Sequence, residues 1–129
     1  MELIVNDTDN IQTLKETFNK FFPYLKIELY KKNGQTGSSS AKNPVLNTKT
    51  LAEYRIMPVG SFITITSTMT VIELEKSFNK YYGLTTQVLR KSGNIWLGTT
   101  VTDNWTLEEQ NKQGELLSSQ INNAKTTNS

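Results

Sequence analysis

Two stretches of the chain carry the same pattern. Residues 13–34, TLKETFNKFFPYLKIELYKKNG, lie over residues 73–93, ELEKSFNKYYGLTTQVLRKSG, with Phe18-Asn19-Lys20 on Phe78-Asn79-Lys80 and one residue of slippage further on. A repeat constrains a fold more than any single motif does, because both copies must find one local structure and then bury their apolar faces together. The copying extends upstream, where Leu3 and Val5 correspond to Ile63 and Ile65 as the alternating inward residues of a short strand.

Each copy then reads as an amphipathic helix. Ile11, Leu14, Phe18, Phe21 and Phe22 match Val71, Leu74, Phe78, Tyr81 and Tyr82, and at about 100° per residue each set falls on one arc of the helix surface. Asp9 or Asn10 marks the first helix start, and Thr70 with Glu73 three residues on marks the second as a capping box. Pro23 and Gly83 end the two helices at equivalent places.

The next segments, LKIELYKK and LTTQVLRK, alternate as strands, with Leu25, Ile27 and Leu29 matching Leu84, Thr86 and Val88. Both lead into a turn pair, Asn33-Gly34 or Ser92-Gly93, of the kind that favours a hairpin. In the second copy the returning strand is NIWLGTT; in the first its counterpart by position is QTGSSSA, degenerate and followed by a connection. The stretch NGQTGSSSAKN, 33–43, has the glycine, serine and lysine of a phosphate-cradling loop. Such a loop needs a Gly-Lys-Ser/Thr ending that opens straight into a helix, whereas Lys42 follows Ala41 and Asn43-Pro44 breaks the chain. A polar connection is the expected reading.

TKTLAEYR and DNWTLEEQ close the two units, each with Thr-Leu-x-Glu. Thr50 with Glu53 and Thr106 with Glu109 predict a short helix apiece; the second extends toward Leu117 and Ile121, with Gly114 weakening it. The expected organisation is one domain, 1–121, made of two repeats, 1–60 and 61–121, with 122–129 as a flexible polar tail.

Strand-helix-strand units repeated in one small domain predict the α+β class. The expected architecture is a ferredoxin-like βαββαβ sandwich, both helices on one face of a largely antiparallel sheet, with extra short helices. TLAEYRIMPVGSFITI, 50–65, resembles the passage near the end of ubiquitin-like β-grasp folds in which Thr-Leu, an acidic residue and a tyrosine precede a strand. That resemblance makes a β-grasp-like plan the alternative, although such folds place a hairpin before the main helix and one strand precedes it here. The second unit resembles small bacterial modules of no assigned activity. The resemblance rests on Thr70-Val71, Glu73-Leu74-Glu75, Phe78, Gly83-Leu84 and Gln87-Val88, and on Thr102-Asp103, then Trp105 to Gln110. It implies a bacterial origin and carries no activity with it.

Chemistry is limited by what the chain lacks. The 129 residues include no cysteine and no histidine, so thiolate nucleophiles, cysteine zinc sites and histidine-based proton transfer are excluded. No cofactor and no metal are expected. Glu73 and Glu75, or Glu108 and Glu109, stand too close in sequence to face each other across a site, and capping and solvation account for them. Asp7, Asp9 and Asp103 could gather at one sheet end and bind a hard cation, but their spacing is that of turn residues. A small-molecule or cation-binding domain is the third reading.

No apolar run is long enough to span a membrane, and no basic-then-apolar leader opens the chain, so a cytoplasmic location is expected. The 14 basic and 12 acidic residues leave a net charge of +2, far from the field of a dedicated nucleic-acid binder. The function expected is a non-enzymatic protein–protein interaction module, self-association included, that uses Tyr30, Arg90, Trp96 and Trp105. Tryptophan and tyrosine are enriched at interface centres, and burial in the core is the competing fate of both tryptophans. The alternative is nucleic-acid binding through Lys31, Lys32, Arg90 and Lys91. RNA-recognition sheets stack bases on aromatics of their first and third strands, where ELIVN has none and SFITITS has only Phe62.

Overall fold

The computed structural model describes residues 2–31, 43–56 and 62–127. The chain is an α+β domain. Its described elements run β1 (Glu2–Ile4), α1 (Ile11–Phe21), β2 (Leu25–Lys31), a 3₁₀ turn (Leu51–Tyr54), β3 (Thr64–Thr66), α2 (Val71–Tyr82), β4 (Leu84–Ser92), β5 (Ile95–Gly98) and α3 (Leu107–Thr127).

Both long amphipathic helices form where their apolar arcs predict. Asn10 caps α1, its side chain accepting from Thr13 N at 2.8 Å. Thr70 and Glu73 make the reciprocal box on α2, Glu73 N donating to Thr70 Oγ1 at 3.2 Å and Thr70 N to Glu73 Oε1 at 3.1 Å. Gly83 closes α2 in the left-handed region, φ 65°, its N–H on Asn79 O, a conformation for which glycine has no steric penalty. The buried faces of both helices, Ile11, Leu14, Phe18 and Phe22 with Val71, Leu74, Phe78 and Tyr82, join one core with Leu25, Ile27, Leu29, Leu84 and Val88.

The strands divide into two antiparallel sheets, β1-β3 and β2-β4-β5. The single sheet of a ferredoxin-like sandwich is therefore corrected, and a single strand precedes α1, without the hairpin of the β-grasp plan. The helix-strand period is right in each unit, but pairing is settled across the units: Leu3 faces Ile65 in the small sheet, and Ile27 faces Val88 in the large one. Each sheet thus takes strands from both halves of the chain.

The turn between β4 and β5 is Gly93-Asn94, one residue later than the expected Ser92-Gly93, because Ser92 pairs with Ile95. Gly93 has φ 65° and Asn94 does not have positive φ, which is the pattern of a turn with glycine at its first central position. The expected turn at Asn33-Gly34, Lys42 and the QTGSSSA strand lie outside the described residues. Just beyond them the chain returns along β2: Lys31 N donates to Asn43 O at 2.7 Å and Val45 N to Leu29 O at 3.0 Å, with Tyr30 bridged to Pro44.

Around the helix starts, three bonds of one half recur in the other. Ile11 N donates to Lys49 O and Val71 N to Trp105 O; Gln12 N to Asn47 O and Ile72 N to Asp103 O; Ala52 N to Asp7 O and Glu108 N to Ser67 O. Asn10 bridges Thr50 as Thr70 bridges Thr106. These bonds dock the helical segment that ends each half, the 3₁₀ turn or α3, against the N-terminus of the helix before it, α1 or α2.

The last helix differs most from its counterpart. Where the 3₁₀ turn stops at Tyr54, α3 continues to Thr127 and includes residues 122–127, read from sequence as tail. Leu107, Gln110, Gly114 and Ser118 form its buried stripe, laid on β4 and β2. Gly114 makes the approach close: a Cβ there would lie 2.8 Å from Tyr24 Cβ and 3.2 Å from Lys91 O. No described helix is long and apolar enough to cross a membrane.

Candidate functional site

The three-stranded sheet has two unlike faces. Leu25, Ile27 and Leu29 on β2 and Leu84, Thr86 and Val88 on β4 point into the core. Side chains alternate along a strand, so Lys26, Glu28 and Tyr30, then Thr85, Gln87, Leu89 and Lys91, stand on the reverse face, and all are at least partly exposed. The pairing of Lys91 with Trp96 and Leu89 with Gly98 puts Trp96 on that face too. No described element covers it.

Polar and aromatic groups on this face are tied together. Lys26 Nζ sits 5.0 Å from the centroid of the Trp96 ring, a cation–π contact across the sheet. The Tyr30 hydroxyl donates to Gln87 Oε1 at 3.3 Å. Burial, and secondarily the Glu28 carboxylate, push the Tyr30 phenol up from its ordinary pKa, so it stays a neutral donor. Glu28 pairs with Lys15 of α1 at 2.9 Å. The surface that results offers a flat aromatic ring, the aliphatic part of Leu89 and two lysine charges. It has hydrogen-bonding amides and hydroxyls but no group poised for proton transfer.

The residues singled out from sequence do not share one surface. Tyr30 and Trp96 lie on the open face, but Tyr30 is four residues along β2 from Lys26, about 13 Å away at the strand rise. Arg90 belongs to the opposite face, beneath α3. Its guanidinium Nη1 donates to Gln110 Oε1 at 2.8 Å and its Cζ lies 5.8 Å from the Trp105 ring. Gln110 is fully buried and spends its amide on Thr102, 2.7 Å to the carbonyl and 2.8 Å to the hydroxyl. Arg90 and Trp105 thus belong together as a bracket between α3 and the loop before it. Both tryptophans are half-buried, each against a cation.

The nucleic-acid set is divided in the same way. Lys91 is on the open face, Arg90 on the covered one, Lys31 is exposed at the end of β2 and Lys32 lies outside the described residues. Leu89 enters the open face without having been singled out from sequence; the alternation of LKIELYKK and LTTQVLRK, combined with a strand-to-strand register, is the signal that locates it.

The acidic residues follow local roles. Asp7 pairs with Arg55, Asp103 accepts from Ile72 through its carbonyl, and no group of three potential metal-ligating side chains occurs among the described residues. A gathering of Asp7, Asp9 and Asp103 is not found there, in keeping with their reading as turn residues. Burial, then the Asp103 charge, raise the Glu75 carboxyl above its usual range; the backbone N–H of the cap, first, holds Glu53 and Glu73 below it. A cleft of about 350 Å³ between the end of α1 and α3, lined by Phe21, Phe22, Ser67, Glu108, Asn111, Lys112 and Glu115, is open to solvent.

Fold and surface together define a class: a small α+β domain whose main antiparallel sheet is packed by helices on one side and open on the other. Comparison with protein-family models, with curated proteins and with solved structures finds no match to this chain.

Proposed function

We propose that the protein is a non-enzymatic, cytoplasmic interaction module, internally duplicated, that receives a protein partner on the open face of the three-stranded sheet. The observation that carries this reading is the Trp96 ring, partly exposed and held by Lys26 across a face no described element covers. A rigid aromatic with a cation beside it, on a face that also carries amides and hydroxyls, has the composition of an interface anchor with polar surroundings. The absence of histidine and cysteine from the sequence removes the side chains on which most acid–base and nucleophilic catalysis depends. The duplication is supported by the matching bonds around residues 10 and 70.

The test uses the tagged full chain in nuclease-treated extract of its native cell, at low and high salt, alongside Trp96→Ala. The variant keeps the β4–β5 ladder, so circular dichroism should confirm its fold. A defined protein held by the wild type in both salts and lost from the folded variant supports the proposal. Loss of all partners on nuclease treatment or with salt assigns the face to nucleic acid, because phosphate contacts weaken as counterions compete.

A further inference from the structure

We infer that β5 is a self-pairing edge, and that a second copy of this chain docks on it antiparallel, joining the two three-stranded sheets into one. Strand β5 lies at the end of the order β2-β4-β5. In an antiparallel ladder, alternate residues turn their N–H and C=O to opposite sides. Ser92 pairs with Ile95 and Arg90 with Leu97 next to the turn, so Ile95 and Leu97 spend theirs on β4, and Trp96 and Gly98 point theirs outward. No described residue bonds to them there.

Natural sheets usually blunt such an edge with lysine, proline or a bulge. The opposite edge of this sheet follows that practice, since β2 is bordered by the Pro44 segment. Strand β5 does not. The chain is uncharged from Gly93 to Thr102, and Ile95 and Leu97 are 59% and 40% exposed.

Gly98 is the second, independent observation. It is the last residue of β5, and a glycine in a sheet leaves room for a close backbone approach or a bulky residue across from it. Nothing among the described residues calls for it: its φ is not positive, and of these an added Cβ would meet only Gln87 Nε2, at an ordinary 3.5 Å. A two-fold axis at Leu97 supplies the reason. It sets Trp96 opposite Gly98 of the second copy in pairs that exchange both backbone bonds, bulky against bare. Leu97 meets its own counterpart on the other face, where apolar pairs directly opposite stabilise a sheet. Because the run has no charge, self-pairing brings no like charges together, and the Trp96–Gly98 spacing fits its own reverse. A second copy is therefore the occupant this edge matches.

The inference concerns the edge of the sheet rather than its open face, so a failure here leaves the proposed partner surface standing, and the reverse. Sedimentation velocity of the full chain from about 10 μM to 1 mM spans the range expected for a small interface, and should show the 14.6 kDa monomer passing to twice that mass. Two variants test the geometry. Leu97→Glu places two carboxylates at the axis, yet within one copy sets a carboxylate beside Arg90. Gly98→Val fills the gap opposite Trp96 while favouring the strand in the monomer. Leu97→Glu should weaken dimerisation at least about tenfold, and Gly98→Val should raise the melting temperature measured in dilute solution. Hydrogen exchange at the Trp96 and Gly98 amides should slow as concentration rises. A wild type that stays monomeric, a Leu97→Glu variant that dimerises as tightly as wild type, or exchange at these amides that ignores concentration would each overturn the inference.

Discussion

Replacing Gly114 with alanine sets two effects against each other. In an isolated helix the change stabilises by about 1 kcal/mol, since glycine has more backbone freedom to lose. In this protein the new Cβ would lie 2.8 Å from Tyr24 Cβ, 3.1 Å from Arg90 Cγ and 3.2 Å from Lys91 O. The first of these is fixed to the backbone and the last is backbone, so neither can swing aside. Relief requires α3 to lift off β4, which stretches the bonds from Arg90 to Gln110 and from Gly93 N to Ser118 Oγ. Overpacking costs about 1–3 kcal/mol, and weakening those bonds roughly cancels the propensity gain at about 1 kcal/mol. The net expectation is a loss of about 1–3 kcal/mol. With a urea slope of roughly 2 kcal/mol/M, the unfolding midpoint should fall by about 0.5–1.5 M. Ser119→Ala, on the exposed side of the same helix, supplies the control and should raise the midpoint slightly. If Gly114→Ala rises as well, α3 is not seated by close contact and the reasoning is wrong.

Three further outcomes follow from buried polar groups. The Tyr82 hydroxyl is buried without a hydrogen-bond partner, so Tyr82→Phe should leave stability unchanged or raise it by about 1 kcal/mol in chemical denaturation, opposite to the usual loss on trimming a core tyrosine. Gln110→Leu removes the bonds to Thr102 and the partner of Arg90, whose Nε already lacks one; a loss of about 2–4 kcal/mol is expected from the stranded charge. Glu75 binds its proton more tightly in the folded state than in the unfolded. Its contribution is therefore least unfavourable below the ordinary glutamate value and turns against folding as pH rises through the raised one. Glu75→Gln should thus be more stable than wild type at neutral pH, with the difference vanishing in acid; a constant difference across pH would refute the assignment.

Local structure was legible wherever one pattern carried it. The apolar arcs of α1 and α2, the Thr70–Glu73 box and the alternation of β2 and β4 are each decided within a few residues, and the structure has them all. Pairing is a different kind of information. That Leu3 meets Ile65, or Ile27 meets Val88, depends on how distant segments of the chain fit together, and a repeated sequence pattern implies partnership without saying which strand faces which. The candidate site inherits the same limit. Alternation alone sends Tyr30 and Arg90 to opposite faces only once the β2–β4 register is known, so a cluster drawn from proximity in sequence mixed the two. Gly114 carried a signal that was read in reverse: glycine in a helix suggests weakness by propensity, while its role is to let the helix sit closer.

Because β1 and β2 both find their sheet partners in the second half of the chain, the first sixty residues leave the ribosome with neither sheet able to close. The core their apolar helix and strands belong to stays incomplete until β3 and β4 have been made. Pairings between distant segments form slowly, since the loop must be closed before they stabilise anything. The first half therefore spends its synthesis time as an unfinished surface, open to chaperones or to another nascent copy, and the arrival of β4 is the event that commits the chain to its own fold.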